Sequence, residues 1–418
     1  MKKTIMSLQH LLAMFGATVL VPILTGFNPT VAIFSAGLGT LIFHLCTNGK
    51  VPAFLGSSFA FIPVIIIVKD MYNGDLAYAQ GGIMAAGLLY VIMSFVVKMV
   101  GIEKIQRYFP AQVTGAMIAV IGLNLIPTAI GMASANMIVA GLTLLIALCI
   151  NKFGKGFIKQ LSILIAVFSG YALCLVMNLV DTSIIKDAAM FAVPEFSLPK
   201  FSLESIVVIA PVVLAVFMEH IGDMTTNGAV VGKDFIKNPG LNRTLLGDGL
   251  ATIVAGLLGG PANTTYGENT AVLAITKNYD PSILRRTAIL AMLLACVGKF
   301  GGFLQSIPGA VMGGISILLF SMITFVGFKT IKNSDCIENK NNIVVIAAIL
   351  VIGLGTSYLE KQGISIGIPI TESVKITGLS LAAIVGIVLN RVLNNSEFKS
   401  ENIKKTTVEK INPETTTV

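Results

Sequence analysis

The sequence predicts an all-α polytopic membrane protein whose 14 transmembrane segments form two inverted seven-segment repeats. Three observations support this fold class: an apolar composition, positive charges confined to alternate loops, and two short, interrupted apolar segments. The 418 residues are 55% hydrophobic and only 12% charged, and their mean hydropathy is +0.85. Because soluble domains average about 25% charged residues, this composition indicates a chain embedded in lipid.

Apolar runs follow one another along the whole chain. A regular spanning helix needs about 20 mostly apolar residues, and most of the runs approach this length. The connections are short except for residues 181–202, and the polar residues 395–418 have the composition of a disordered cytoplasmic tail. The runs cover residues 5–26, 29–47, 54–68, 78–101, 111–130, 136–151, 157–180, 203–223, 242–260, 263–276, 283–303, 308–328, 343–358 and 376–394.

The positive charges fall mainly on one side of the predicted membrane. With the N-terminus inside, most of the 29 Lys and Arg residues lie in loops on that same side. Cytoplasmic loops carry an excess of Lys and Arg, so we expect a multi-pass protein of the cell membrane with both termini cytoplasmic. The cations on the other side are Lys69, Lys186, Lys200, Lys361 and Lys375, and Lys299 lies within a span.

The tenth segment, residues 263–277, is polar in its first half and apolar in its second. It is shorter than the ~20 residues of a regular span and carries Glu268 between Gly267 and Asn269. Carboxylates at membrane depth are costly and usually mark a substrate or ion pathway. We therefore expect a broken element, part strand and part helix, with Glu268 near the break. The alternative is a helix end in an aqueous loop.

The third segment repeats this feature. Residues 52–63 open a short run in which Gly56-Ser57-Ser58 breaks the apolar pattern. The third and tenth segments hold matching places in the two halves, residues 1–202 and 203–418. Short, interrupted segments at corresponding positions indicate an inverted-repeat transporter with its binding site near the bilayer midplane.

The eighth segment carries two carboxylates on one helical face. Glu219 and Asp223 are four residues apart, and His220 is turned aside. Such a pair in an apolar span suggests a polar cavity, where a carboxyl group can take up and release a proton. The alternative for Asp223 is a hydrated position at the cytoplasmic end of the helix.

Other polar residues in apolar runs have more than one interpretation. Gln9 and His10 are expected to face the protein and to form hydrogen bonds across helices. Asp248 opens the ninth segment, where a role at a helix terminus is favoured. Lys299 could extend to the membrane surface or pair with a carboxylate, and the sequence leaves both open.

Several function classes lack their characteristic residues. Five cysteines without a C-x-x-C pair and three separated histidines argue against a disulfide framework and a metal centre. The absence of a Walker-type phosphate loop disfavours ATP-driven transport. An enzyme is disfavoured as well, because the sequence contains no recognisable nucleophile–base pair. The net charge of +8 comes from cations that set topology, so a nucleic-acid partner is not expected. A cofactor is not expected either.

Four stretches together resemble the nucleobase–ascorbate transporters, and within them the bacterial uracil permeases: residues 7–22, 52–61, 219–222 and 263–277. The resemblance runs from the first segment to about residue 390. It implies proton-coupled uptake of a nucleobase, without a cofactor, bound between segments three and ten. It leaves a homodimer open, since members of the family often dimerise through their gate helices.

The resemblance also implies a division into domains. The core domain would comprise residues 1–101 and 203–303, with segments 1–4 and 8–11. The gate domain would comprise residues 102–202 and 304–394, with segments 5–7 and 12–14, leaving 395–418 as the tail. Transport would proceed by movement of the core domain against the gate domain.

The family's functional residues map onto matching positions. Glu219 and Glu268 would bind the base, and the backbones of Phe59 and Gly267 would supply amide contacts, with Phe59 also packing on the ring. The remaining implied pocket residues are Ala17, Ser58, Tyr266 and Phe320, the supporting polar residues are Gln9, His10 and Asn269, and the proton-coupling residues are Glu219, Asp223 and Glu268.

Three positions depart from the family pattern. Asp223 stands where uracil permeases often have His, Ala271 replaces a Gly, and Phe320 stands where related permeases can carry a Tyr. The sequence thus predicts a proton-coupled uracil importer. Asp223 keeps a symporter for xanthine or another purine open as an alternative, a passive nucleobase facilitator is a further one, and an anion transporter of the same fold is disfavoured.

Overall fold

The computed structural model describes residues 2–101, 104, 109–334, 336–364, 366–369 and 375–394. The tail predicted for residues 395–418 lies outside the described residues. Within them the chain is mostly helical. Seven helices are long and apolar enough to cross a membrane, or up to eight if the bent pair Pro281–Ala295 and Gly298–Gln305 forms one span. These lengths confirm a multi-pass helical architecture, whereas the count of 14 spans stays a prediction.

The predicted apolar runs of the first half coincide with helical structure. The elements are α1 (Lys2–Thr25), α2 (Pro29–Cys46), β1 (Leu55–Ser57), a 3₁₀ turn (Phe59–Phe61), α3 (Ile62–Met71), α4 (Ala77–Val100), α5 (Ala111–Ala133), α6 (Met137–Phe153), α7 (Phe157–Gln160), α8 (Ser162–Val176) and α9 (Ser183–Asp187).

The second half follows the same pattern, with one hairpin, β3 and β4, in a stretch where the sequence predicts only a connection. The elements are α10 (Leu203–Ile209), a 3₁₀ turn (Ala210–Val212), α11 (Val213–Val231), a π turn (Ile236–Gly240), α12 (Leu241–Leu258), β2 (Asn263–Thr265), α13 (Gly267–Thr276), α14 (Pro281–Ala295), α15 (Gly298–Gln305), α16 (Gly309–Asn333), a 3₁₀ turn (Cys336–Glu338), α17 (Lys340–Lys361), β3 (Ile368–Pro369), β4 (Lys375–Ile376) and α18 (Gly378–Leu393).

Helix boundaries follow from local chemistry. Asn28 accepts a hydrogen bond from the Thr30 N–H at the start of α2, and Asp280 accepts one from Ser282 at the start of α14. Each cap satisfies an N–H group that the first turn leaves unpaired. α12 ends at Gly259, whose φ of 92° is the left-handed conformation that glycine adopts without a steric penalty.

The third and tenth segments are both broken into a strand and a helix, as predicted. β1 and β2 pair antiparallel, with Leu55 opposite Thr265 and Ser57 opposite Asn263. The ladder continues beyond both strands, because Ser58 donates its backbone N–H to the Ala262 carbonyl at 2.8 Å. Two segments that are distant in the sequence therefore meet at one two-stranded ribbon.

Threonine hydroxyls form hydrogen bonds with backbone groups at the outer edges of this ribbon. Leu55 donates its backbone N–H to Thr40 Oγ1 on α2 at 2.8 Å. On the opposite edge, Thr252 Oγ1 on α12 donates to the Asn263 carbonyl at 3.1 Å and lies 3.3 Å from the Asn263 nitrogen. Non-helical backbone at membrane depth is tolerated only where the protein supplies such partners.

The long helices pack in two groups. In one group, α4 packs on α12, α12 on α2, α2 on α14, and α14 on α1. In the other, α16 packs on α5 and α6, α17 on α5 and α18, and α6 on α8. Small residues allow these approaches: a Cβ at Gly87 of α4 would lie 2.8 Å from the Gly249 carbonyl oxygen of α12.

The long connection 181–202 is fastened to the first group of helices. Lys200 forms a 2.8 Å ion pair with Asp75, between α3 and α4, and this contact lowers the Asp75 pKa. Lys299 of α15 donates to the carbonyls of Ile185 and Lys186 at 2.8 and 2.6 Å. Lys299 therefore binds the C-terminal turn of α9 and pairs with no carboxylate among the described residues.

Candidate functional site

The candidate site lies where the ribbon passes into two short helical elements. The 3₁₀ turn begins at Phe59, two residues after β1 ends, and α13 begins at Gly267, two residues after β2 ends. The N–H groups of a first helical turn have no acceptor within the helix. The backbone at Phe59 and Gly267 is therefore a source of hydrogen-bond donors at the ribbon.

Three carboxylates meet beside these donors. Glu219 and Asp223 lie on α11, Glu268 lies in the first turn of α13, and all three are half-buried. Glu219 interacts electrostatically with Glu268, and Asp223 interacts with both. The structure thus brings together the two carboxylates that the sequence places 49 positions apart.

The carboxylates border open space. Glu219, Gly222 and Asp223 share one face of α11, and Gly222 and Gly267 are exposed. A Cβ built at Gly222 or at Gly267 meets no heavy atom within 4 Å. The positions next to Glu268 on α13 and one turn after Glu219 on α11 are therefore not covered by other described residues.

An aromatic pair lies at the start of the 3₁₀ turn that follows β1. Phe59 is half-buried and Phe320 of α16 is fully buried, with ring centroids 6.0 Å apart and an interplanar angle of 80°. Ala17 of α1 is also buried, at 1% exposure. Phe59 thus packs against Phe320 in a T-shaped pair and keeps part of its surface accessible.

Ser58 and Tyr266 differ in what they can offer to a ligand. The Ser58 hydroxyl is fully buried and has no hydrogen-bond partner among the described residues. The Tyr266 hydroxyl donates to the Ser57 carbonyl at 3.0 Å, and its ring packs over Gly56. Ser58 is therefore available for a polar contact, whereas the Tyr266 hydroxyl is already hydrogen-bonded to the backbone of the ribbon.

The predicted supporting polar residues differ in whether the structure shows hydrogen bonds for them. Asn269 Nδ2 donates to the His10 carbonyl at 3.1 Å and lies 3.2 Å from His10 Nδ1. This contact joins α1 to α13 and confirms that His10 forms hydrogen bonds across helices. Gln9 is half-buried and has no such bond within the described residues, so the same expectation for Gln9 is wrong.

Asp223 does not lie at the end of its helix. It lies in the middle of α11, and its Oδ2 accepts a 2.9 Å hydrogen bond from Thr265 Oγ1 of β2. This bond ties α11 to the ribbon and orients the Asp223 carboxylate within the carboxylate group. The helix-end alternative for Asp223 is thus wrong, and its role as a site residue stays a prediction.

Sequence reasoning missed one buried pair. Asp248 is 1% exposed and lies 2.8 Å, through Oδ2, from Nδ1 of the fully buried His220. The expected role at a helix terminus is wrong, because α12 begins at Leu241, two turns earlier. The available signal was a carboxylate flanked by Gly247 and Gly249, which allow a helix to approach closely on both sides.

The chain matches known transporters over almost its whole length. The family model described as the permease family matches residues 1–362. The probable uracil permease of Haemophilus influenzae is 38% identical over 411 residues, which cover 96% of each chain. The uracil permease of Bacillus subtilis is 40% identical over 408 residues, covering 93% of this chain and 91% of the relative.

The fold is also found among solved structures. The structure of SLC26A9 superposes with a TM-score of 0.71 at 10% sequence identity, covering 94% of this chain and 64% of that longer chain. At this identity the likeness concerns the fold alone. With the family match over residues 1–362, it follows that this chain belongs to the nucleobase–ascorbate transporter family of permeases and is a transporter, not an enzyme.

Proposed function

We propose that the protein imports uracil across the cell membrane together with a proton. The observation that carries this proposal is the meeting of Glu219 and Glu268 beside open space at the start of α13. The proposal is further supported by the substrate named for the relatives from Haemophilus influenzae and Bacillus subtilis. No group of side chains among the described residues fits a metal ion. The base is proposed to bind through hydrogen bonds and ring contacts.

The groups at the site complement the edge of a uracil ring. Uracil presents ring N–H donors and carbonyl acceptors in alternation. Glu219 and Glu268 accept from the N–H groups, while backbone N–H groups at Phe59 and Gly267 donate to the carbonyl oxygens. The half-buried ring of Phe59 packs on the face of the base. A site of paired polar groups rejects analogues that leave one group unpaired.

Proton coupling follows from the closeness of the carboxylates. Glu219, Asp223 and Glu268 repel one another when all are charged. A proton taken up by Glu219 or Glu268 removes one negative charge and leaves a neutral carboxyl group to contact the base. Protonation and base binding then favour the same state of the site, which is the condition for symport.

The fourteen spans in two inverted repeats remain part of the proposal. Thr40 lies in the second segment of the first half, and Thr252 lies in the second segment of the second half. Each bonds the strand of its own half, β1 or β2, at the outer edge. Equivalent contacts at matching positions support two copies of one structural unit.

The movement is proposed to occur between a core domain (1–101 and 203–303) and a gate domain (102–202 and 304–394). The two groups of packed helices support this division, because α1, α2, α4, α12 and α14 belong to the first and α5, α6, α8, α16, α17 and α18 to the second. Phe59 and Phe320 then meet across the boundary. Both termini are proposed to be cytoplasmic.

A purine substrate is the second candidate, and Asp223 is the observation that favours it. Its carboxylate provides a further acceptor near Glu219, and a purine carries an additional ring N–H that such an acceptor could bind. Thr265 already occupies Asp223 Oδ2, which leaves Oδ1 for that contact.

Transport by the purified full-length protein in proteoliposomes tests the proposal. Uptake of labelled uracil is measured with and without an inward proton gradient, and with unlabelled xanthine as competitor. Gradient-driven accumulation that xanthine leaves unchanged is the expected result. Strong competition by xanthine would transfer the proposal to purines, and equilibration without accumulation would identify a passive facilitator.

A further inference from the structure

A second cluster of buried polar side chains lies behind the carboxylates of the site. It consists of His220 on α11, Asp248 on α12 and Tyr90 on α4, with exposures of 0%, 1% and 0%. We call these three residues the inner cluster. None of them has a role in the recognition of the base described above.

The hydrogen on one His220 nitrogen follows from its neighbour. His220 Nε2 lies 2.8 Å from Thr244 Oγ1, and the Thr244 hydroxyl donates to the Leu241 carbonyl at 3.0 Å. A hydroxyl has a single hydrogen to donate. Thr244 must therefore accept from His220, and Nε2 carries a hydrogen.

The other nitrogen requires a second proton. His220 Nδ1 lies 2.8 Å from Asp248 Oδ2. A deprotonated ring nitrogen and an ionised carboxylate would repel each other at this distance, since both would present lone pairs. The pair is consistent with one stored proton, either on His220 as an imidazolium or on Asp248 as a carboxylic acid. In both forms the pair is neutral overall.

The hydrogen-bond geometry around this stored proton is not ideal. The contact between His220 and Asp248 lies off the direction of a well-aligned bond, and Tyr90 Oη has no partner among the described residues either. Tyr90 interacts electrostatically with Asp248 most strongly and then with Glu219 and Asp223. Buried polar groups are almost always bonded to protein or to ordered water. The inner cluster therefore has polar atoms that are not saturated by the described residues and that interact electrostatically with the carboxylates.

The surroundings of Asp248 are mainly acidic. Glu219 and Asp223 face it from α11, Tyr90 faces it from α4, and Cys46 faces it from α2. Arg243 of α12 interacts with Cys46 as well. Within the described residues no cluster of ligands suited to a metal ion is found, so the occupant that fits the inner cluster is a proton.

We propose that the inner cluster stores one proton and exchanges it with Glu219 or Asp223 during transport, an inference that rests on the proposed symport. When the proton leaves for Glu219, His220 becomes neutral with its hydrogen on Nε2. Asp248 is left as a carboxylate, and Glu219 becomes a neutral acid. The repulsion between Nδ1 and Asp248 Oδ2 in this state favours the return of a proton to the pair. The total charge of these three groups is the same before and after the step.

The test compares two modes of transport in proteoliposomes. One is accumulation of labelled uracil driven by an inward proton gradient, and the other is exchange of labelled for unlabelled uracil at equal pH on both sides. In Asp248→Asn we expect the ratio of accumulation to exchange to fall by about 10²-fold, the lower end of what one positioned proton-transfer group contributes. Asp75→Asn, which alters a partly exposed carboxylate between α3 and α4, is the matched control and should keep the wild-type ratio.

A second variant covers the case in which Asp248→Asn does not fold. Tyr90→Phe conserves volume and removes the unpartnered hydroxyl, and we expect it to shift the pH at which accumulation is half-maximal. A structural role alone would lower accumulation and exchange together, so an unchanged ratio and an unchanged pH profile would overturn the inner proton site. Absence of uracil transport by the wild-type protein would instead refute the proposed function itself.

Discussion

The ring of Phe59, at the start of the 3₁₀ turn, meets the ring of Phe320 on α16 edge to face, with centroids 6.0 Å apart. Such pairs contribute about 0.5–1.5 kcal/mol beyond the burial of their surfaces. The contact joins the ribbon side of the site to a helix of the other packing group. The position of the Phe59 ring therefore depends on a residue that is 261 positions away in the sequence.

The Phe59–Phe320 contact predicts coupling between the two positions. Phe320→Leu should weaken uracil binding about 2- to 10-fold, because Phe59 loses the neighbour that fixes its ring. Phe59→Leu should weaken binding further, since the base loses its ring contact. Equilibrium binding of labelled uracil to both single variants and the double variant measures the coupling, and strictly additive effects would show that Phe320 does not orient Phe59.

Glu219→Gln and Glu268→Gln should each raise the Kd for uracil. Each change replaces a charged acceptor by a neutral amide of similar shape, and hydrogen bonds to charged groups contribute about 1.5–3 kcal/mol, or about 10- to 150-fold in affinity. Glu204→Gln is the control, since Glu204 accepts from Tyr72 at the start of α10, away from the ribbon. Full gradient-driven accumulation by Glu219→Gln would remove Glu219 from the coupling mechanism.

Replacing Gly222 or Gly267 by alanine should weaken uracil binding without lowering the stability of the protein. A Cβ at either position has open space around it, and replacing a helical glycine by alanine stabilises a helix by up to about 1 kcal/mol. We expect an unchanged or higher melting temperature together with weaker uracil binding, because the new methyl group occupies the ligand space. Gly56→Ala is the contrasting variant: its Cβ would overlap the Tyr266 ring, so it should lower the melting temperature. Unchanged uracil affinity in Gly222→Ala and Gly267→Ala would place the ligand elsewhere.

Thr40→Val and Thr252→Val should destabilise the ribbon by similar amounts. Each variant keeps the shape of the side chain and leaves a buried backbone group of Leu55 or Asn263 without its partner, at a cost of about 1–3 kcal/mol. Thr330→Val on α16, whose hydroxyl bonds only within its own helix, is the matched control. Thermal unfolding in detergent checks this; the equivalence of the two sites fails if only one variant lowers the melting temperature.

The ion pair between Lys3 and Asp280 predicts a pH-dependent contribution to stability. The hydrogen bond from Lys3, at 2.6 Å, lowers the Asp280 pKa to about 2, and Ser282 contributes further. Because this pKa lies below the ordinary value of 3.8, the contribution is present above about pH 4 and is lost as the pH falls toward 2. Both side chains are partly exposed, so the effect should not exceed about 1 kcal/mol.

Melting temperatures of Asp280→Asn and wild type at several pH values measure this contribution. The difference between them should be largest near neutral pH and should shrink as the pH falls from 5 toward 2. Lys3→Met removes the other partner and should reproduce most of the loss at neutral pH. A difference that stays constant with pH would show that the cap on Ser282, rather than the charge, is what Asp280 contributes.

The local pattern of residues was sufficient to predict much of the fold of this protein. Composition and hydropathy determined a multi-pass helical membrane chain, because lipid excludes charge from any segment that spans it. The breaks in the third and tenth segments were visible as Gly and Ser within apolar runs, and the family motifs placed Glu219, Glu268 and Phe59 together. These features depend on the order of residues within single segments, which the sequence states directly.

Only the tertiary structure decided which polar groups pair. The partner of Asp248 is His220, the partners of Lys299 are carbonyls at the end of α9, and Asp223 is bonded to Thr265, whereas Gln9 has no interhelical bond within the described residues. The physical reason is that a buried polar side chain is defined by what lies within about 3 Å of it. In a bundle of long helices that distance is set by how segments far apart in the chain come together.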